Sequence, residues 1–308
     1  MIERPRKIIL SRKGFDSAYG GQPSPILDGR KLVPMPIPGR ATPAGTEICY
    51  QDIRLPDDCR LPAGSGRFAG NAATYYDLMY GLYAQGLCRD GQRLPLKAQS
   101  ICHLDPDLSQ QALPRQPGWK PLFGQEGAAL THLQDQGVGP GDIFLFFGWF
   151  AEAECPLTDN RYRLRRGRNR DQHLIFGYFT IGQIHRPVDN WQTLPEWARY
   201  HPHVTGDDYG DNNAVFEAAD FFPASDRPGA GFFQAYDRSL VLTRPGQTRS
   251  RWALPDCFRN TRITYHSDKS WVAGAEPYFQ SAMIGQEFVV DCTDAVWQWT
   301  RQLVLNNH

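Results

Sequence analysis

Four short stretches gather side chains able to do chemistry. In "ILSRKGFDSAYGG", Arg12 and Lys13 leave an apolar run together and are followed by Asp16, Ser17, Tyr19 and two glycines. Two cations beside backbone amides that glycine lets come close can grip a phosphate. Asp16 is then the one carboxylate placed to meet a base or sugar, although the same composition can also turn a corner. In "HLDPDL", His103, Asp105 and Asp107 put one imidazole and two carboxylates close together, the density that metal ligation or acid–base work needs. Asp-Pro-Asp is equally a turn and cap sequence. In "ARYHPHV", an extended backbone would set His201 and His203 on one side. With no Cys or Asp in phase beside them, no metal and no cofactor is assigned. The fourth stretch, "RYRLRRGRNR", holds Arg161, Arg163, Arg165, Arg166, Arg168 and Arg170. Its guanidinium forks suit phosphate oxygens, or form a solvated loop partly neutralised by Glu152, Glu154 and Asp159.

The expected catalytic set is therefore Asp16, Asp105 and His103. The expected nucleotide- and phosphate-binding set is Arg12, Lys13, Ser17, Tyr19, Gln125, His132, Trp149, Arg165 and Arg166. Gln125 would read a base edge, and Trp149 would offer a ring for stacking just before the arginine loop. The sequence has no G-x-S-x-G, Walker lysine loop, G-x-G-x-x-G or H-E-x-x-H, which argues against the familiar hydrolases, ATPases and dehydrogenases.

These residues must be held by a chain of 308 residues, long enough for one large domain or two ordinary ones. Formal net charge is zero, so no global field draws the protein to DNA or acidic lipid, and any basic surface is local. Seven cysteines are scattered without a C-x-x-C pair, as expected of reduced thiols in a cytoplasm. The opening "MIERPRKIIL" is too charged for a secretory signal, and no apolar run is long enough to span a bilayer. A soluble cytoplasmic protein with no membrane partner is expected.

Ile8, Ile9 and Leu10 predict a short buried strand, and "PSPILDGRKLVPMPIP" predicts two extended segments around an Asp28-Gly29 turn. Helices are expected over Asn71 to Gln85, capped by Asn71, and over Gln125 to Gln136. The apolar stretch Gly137 to Phe150 predicts a strand buried on both faces, with a second strand at His173 to Pro187 and a long loop between. A short helix at "TLPEWARYHPH", strands at "AVFEAADFF" and "SLVLT", and a terminal helix from Asp294 to Leu305 complete the pattern. Strands outweigh helices without regular βαβ alternation, so the fold class is α+β, mainly β.

The strand pair at about 138–190, "GPGDIFLFF" and "IFGYFTIGQI" around a polar insert, resembles the PUA-like group with its EVE, ASCH and YTH members. That resemblance implies a small β-barrel core, elaborated here with helices and long loops, whose pocket reads modified or flipped bases. Across most of the chain, "KIILSRKGFDSAYGGQPSPIL", "HLDPDL", "GWKPLFGQEGAALTHLQDQGVGPGDIFLFFGWF" and "GQEFVV" resemble the nucleotide modification associated domain 3 family. This second resemblance implies one elaborated domain over residues 1–308, working with modified nucleobases in DNA beside phage and bacterial modification or defence genes. The partners it implies are DNA or a nucleotide carrying a modified base, and DNA-modification enzymes. Two functions follow: recognition of the modified base or nucleotide, or an enzyme acting on it, such as a glycosidic-bond hydrolase or transferase using Asp16 or Asp105.

Overall fold

In the computed structural model, the apolar triplet Ile8, Ile9 and Leu10 is wholly buried within a strand, β1 (Lys7–Arg12). The structure describes residues 6–42, 45, 47–59, 61, 73–156, 161–165, 167, 169–186, 194–206, 209–283 and 285–307. The further strands are β2 (Ser24–Leu27), β3 (Lys31–Leu32), β4 (Ile37–Pro38), β5 (Leu87–Arg89), β6 (Gln92–Leu94), β7 (Cys102–His103), β8 (Leu122–Glu126) and β9 (Ile143–Glu154). Then come β10 (Arg163–Leu164), β11 (Gln172–His185), β12 (Asn213–Ala218), β13 (Ala230–Phe232), β14 (Arg251–Trp252), β15 (Trp271–Val272), β16 (Tyr278–Gln280) and β17 (Glu287–Asp291). Helices are few: α1 (Tyr75–Leu82), α2 (Gly127–Asp135), α3 (Pro202–Thr205) and α4 (Asp294–Asn306). The chain is mainly β, and among the described residues no helix is long and apolar enough to cross a membrane.

The main sheet runs in the order β17-β1-β9-β11-β12-β8. β1 lies parallel to β9 and antiparallel to β17, so the N-terminal strand is an inner one. β11 changes partner along its length, pairing with β9 from Gln172 to Thr180 and with β12 from Ile181 to His185. Its register slips between Ile175 and Gly177 and again between Ile181 and Gln183. Such bulges bend a strand and add twist, and here they curl the sheet into a half-barrel. Gly182 is required at the second bend, because a Cβ there would stand 2.8 Å from the Ala219 nitrogen.

The curl is packed with phenylalanine. Ile143, Phe144, Leu145, Phe146 and Phe147 are all fully buried, as a strand covered on both faces requires. On one face Phe144 and Phe146 stack at 5.8 Å, with Phe123 at 4.9 and 5.1 Å from them. On the other, Phe147 meets Trp252 at 5.1 Å and Phe288 at 6.1 Å. A second core gathers around α1, where Met79 and Tyr83 pack with Phe15 and Tyr50. Thr74 caps α1 through a capping box with Asp77, so the helix starts later than expected; Asn71 lies outside the described residues.

Three local expectations change. Gln125 and Glu126 belong to β8, because they pair with Ala214 and Asn213 of β12, and the helix begins only at Gly127. The "SLVLT" stretch opens with a 3-10 turn over Arg238–Leu240, since the Asp237 side chain accepts a bond from the Ser239 amide and tightens the chain. "TLPEWARYHPH" makes a 3-10 turn over Glu196–Ala198, then α3, because Pro202 fixes the first position of a new helix and leaves His201 extended. All seven cysteines carry free thiols.

Candidate active site

Where β7 ends, His103 and Asp105 emerge on a segment that is tightly pinned. Asp107 is buried and receives both Arg115 terminal nitrogens, at 2.6 and 2.8 Å. It also accepts the Tyr200 hydroxyl at 2.5 Å, while Trp119 Nε1 donates to the same hydroxyl at 2.8 Å. Asp107 therefore holds the segment carrying Asp105 against the segment carrying His201. Two backbone bonds between Asp107 and Leu122 tie both to β8.

Next to this anchor, Asp105 Oδ1 accepts the Gly124 amide at 2.6 Å and lies 3.4 Å from His201 Nε2. Asp105 Oδ2 faces His103 Nε2 at 4.0 Å. His201, the cap of α3, accepts the His203 amide on Nδ1 at 3.3 Å. His203 Nδ1 bonds Asn213 Oδ1 at 2.8 Å, and the Asn213 amide nitrogen donates to the His203 carbonyl at 2.7 Å. The His203 ring stacks on Tyr209 at 4.5 Å and meets the His103 ring edge-on at 5.2 Å. It also fills the space a side chain would need at residue 124, where a Cβ would stand 2.1 Å from His203 Cδ2. His103, Asp105 and His203 each turn one ligand-type atom to within 4.8 Å of the others, so these three could hold a metal ion.

Burial governs the charge states. It lowers His103 to about 4 and His203 to about 3, so both rings are neutral near neutrality. Burial would raise Asp105, but the contact with His201, the facing His203 ring and the charge of Lys13 outweigh it and keep the carboxylate ionised. Lys13 sits beside this group with its ammonium 4.5 Å from the Phe123 ring centre and 3.2 Å from Glu287 Oε1. Gln125 Nε2 donates to that same Glu287 oxygen at 2.5 Å. The other Glu287 oxygen is buried without a hydrogen-bond partner among the described residues. His132 is within electrostatic reach of Glu287 and is bonded to Thr264 Oγ1 at 3.1 Å. Asp105 also lines a cleft of about 740 Å³, counting its open mouth, with Tyr75, Phe176 and Phe232 as apolar walls and Arg54, Gln111 and Gln234 as polar groups.

The sequence model for nucleotide modification associated domain 3 matches residues 7–291. The chain belongs to that family. No curated protein and no solved structure matches the chain.

In this family member, the expected residues separate into three groups. Lys13, His103, Asp105 and Gln125 converge at the centre just described, and His132 stands behind it. Arg12, Asp16, Ser17, Tyr19 and Trp149 lie elsewhere. Asp16 accepts the amides of Ala18 and Tyr19, and Tyr19 donates to Asp90, so this loop closes on itself. Arg12 donates to the carbonyls of Ala282 and Met283. Arg249 covers the Trp149 ring at 4.1 Å and reaches Ser17 Oγ at 3.2 Å. The third group is the arginine stretch. There β10 pairs with β9, and Arg165 bonds Glu152 and Glu154 at 3.0 and 2.7 Å; Arg166 lies outside the described residues. Glu287, Asn213, Tyr209, Arg115 and Tyr200 also build this centre, and no motif in the sequence singles them out. Glu287 left a signal, a carboxylate opening the apolar run "EFVV".

Proposed function

We propose that this protein is an enzyme acting on a modified nucleobase or nucleotide, with Asp105 at the reacting centre. One observation carries the reading: an ionised carboxylate, two neutral imidazoles and a lysine, drawn from distant segments, share one largely buried site beside an aromatic-walled cleft. Gathering such groups out of water opposes folding, and sites of this kind are where perturbed acids and bases serve chemistry. The family's association with nucleotide modification supports the substrate class.

In this reading the base enters the cleft lined by Tyr75, Phe176 and Phe232, and DNA or a nucleotide carrying a modified base is the partner. The ionised Asp105 carboxylate stabilises positive charge that develops in the transition state, and Lys13 stabilises negative charge. The curled sheet is the scaffold on which a PUA-like base pocket would be built. Incubation with hypermodified phage DNA, followed by mass spectrometry for released base or a changed nucleoside, tests the proposal. Asp105→Asn is expected to lower turnover by about 100-fold or more while leaving DNA binding in place. Binding by the wild-type protein without any product would instead make it a reader of the modified base.

A further inference from the structure

We propose that His103, Asp105 and His203 hold a single divalent first-row transition-metal ion, leaving further coordination positions open. The inference deepens the proposed site, but it is tested without any nucleotide, so either reading can fail alone.

The hydrogen bonds around the three residues fix which atoms remain to bind. The Asn213 amide nitrogen donates to the His203 carbonyl, so its oxygen is the atom that faces His203 Nδ1. His203 Nδ1 therefore carries the proton and Nε2 the lone pair. This is the outer-shell arrangement that orients metal-binding histidines. His201 works the other way round. Its Nδ1 accepts the His203 amide, so its proton is on Nε2, 3.4 Å from Asp105 Oδ1. With the Gly124 amide on the same oxygen, Oδ1 is occupied and Oδ2 is left facing His103 Nε2. His201 is thus a positioning residue for the carboxylate, not a ligand. Gly124 supplies room for the His203 ring, which no other residue could do at that spacing.

Two imidazoles and one carboxylate suit Zn²⁺, Fe²⁺ or related ions better than Ca²⁺ or Mg²⁺, which prefer all-oxygen shells. Three protein ligands leave room for water or substrate, as in catalytic and not structural zinc sites. The nearby Lys13 cation does not forbid a second positive charge, since Glu287 neutralises it at 3.2 Å. His103, with 19% of its side chain exposed, marks the side from which an ion enters.

The test uses the full chain, stripped with a chelator and then titrated with Zn²⁺ by calorimetry and with Co²⁺ by visible absorption. One equivalent is expected to bind, with Co²⁺ bands of low coordination number. His103→Ala and Asp105→Asn should each weaken binding on the order of 100-fold, and Asn213→Ala roughly 10-fold. His103 is partly exposed, so its variant decides the matter even where His203→Ala does not fold. No saturable binding to the wild-type chain, or one-equivalent binding unchanged in both His103→Ala and Asp105→Asn, overturns the proposal.

Discussion

Gln125 Nε2 meets Glu287 Oε1 at 2.5 Å, and the two residues stand on β8 and β17, the opposite ends of the sheet path. A side-chain bond thus crosses the seam that the backbone ladder leaves open, and α2 packs against both strands there. Lys13 joins the same oxygen from just beyond the end of the inner strand β1, so the seam and the candidate site are built from one group of residues.

The Lys13–Glu287 pair is nearly buried, with 10% and 1% of the side chains exposed. Removing one partner leaves an uncompensated buried charge, which typically costs about 3–5 kcal/mol, whereas removing both costs much less. Lys13→Met and Glu287→Gln should each lower stability by that order, and the double variant should recover much of the loss. Urea denaturation of the four proteins measures this, and simple additivity would mean that the pair is not coupled.

Gly124→Ala should uncouple folding from activity. The new Cβ would fall 2.1 Å from the His203 ring, but the ring can swing out while the β8–β12 ladder stays paired. Circular dichroism should show a native fold, and metal affinity and turnover should fall together. A variant that keeps wild-type metal affinity would show that the ring position does not matter.

Tyr200→Phe deletes a hydroxyl that bonds Asp107, Arg115 and Trp119 at once. Leaving buried partners unsatisfied costs about 1–3 kcal/mol. The denaturation midpoint should drop without a change in slope. Because Tyr200 adjoins His201, metal affinity should weaken as well, even though Tyr200 touches no ligand.

His173 gives stability a defined acid limb. Burial, with the charges of Arg12 and Arg249, lowers it from 6.5 to about 3, and Trp252 donates its indole N–H to the neutral ring at 3.1 Å. Between those two pH values the unfolded chain binds a proton that the folded chain refuses. Stability should therefore fall as the pH drops from 6.5 towards 3, by up to about 1.4 kcal/mol per unit from this group. His173→Asn should flatten that slope by one proton's worth in pH-dependent urea titrations. An unchanged slope would place the acid sensitivity elsewhere.

The strands of the central sheet were legible because Ile8–Leu10 and Ile143–Phe147 are apolar without alternation, which only two-sided burial explains. The curl was not legible, since the bends at Gly177 and Gly182 show in sequence only as glycines inside a strand. At the site, His103 and Asp105 were readable as a dense polar pair, but their partner His203 is brought in by α3 and β12 from far along the chain. The missing aspartate beside His201 and His203 was Asp105 all along, in phase through space and not through sequence. The partial neutralisation of the arginine stretch by Glu152 and Glu154 was readable from their nearness in sequence, and β10, folding back on β9, sets Arg165 against both. The contacts of Asp16 with the Ala18 and Tyr19 amides, and of Trp149 with Arg249, leave no such mark in the sequence.

The position of β1 also sets the order in which the sheet can be completed during synthesis. Its two sheet neighbours are β9 and β17, and β17 is made after every other described strand. Until Glu287 has been made, Lys13 lacks this counter-ion and Gln125 lacks its acceptor across the seam. A nascent chain that already carries His103, Asp105 and His203 therefore still has an open seam beside them.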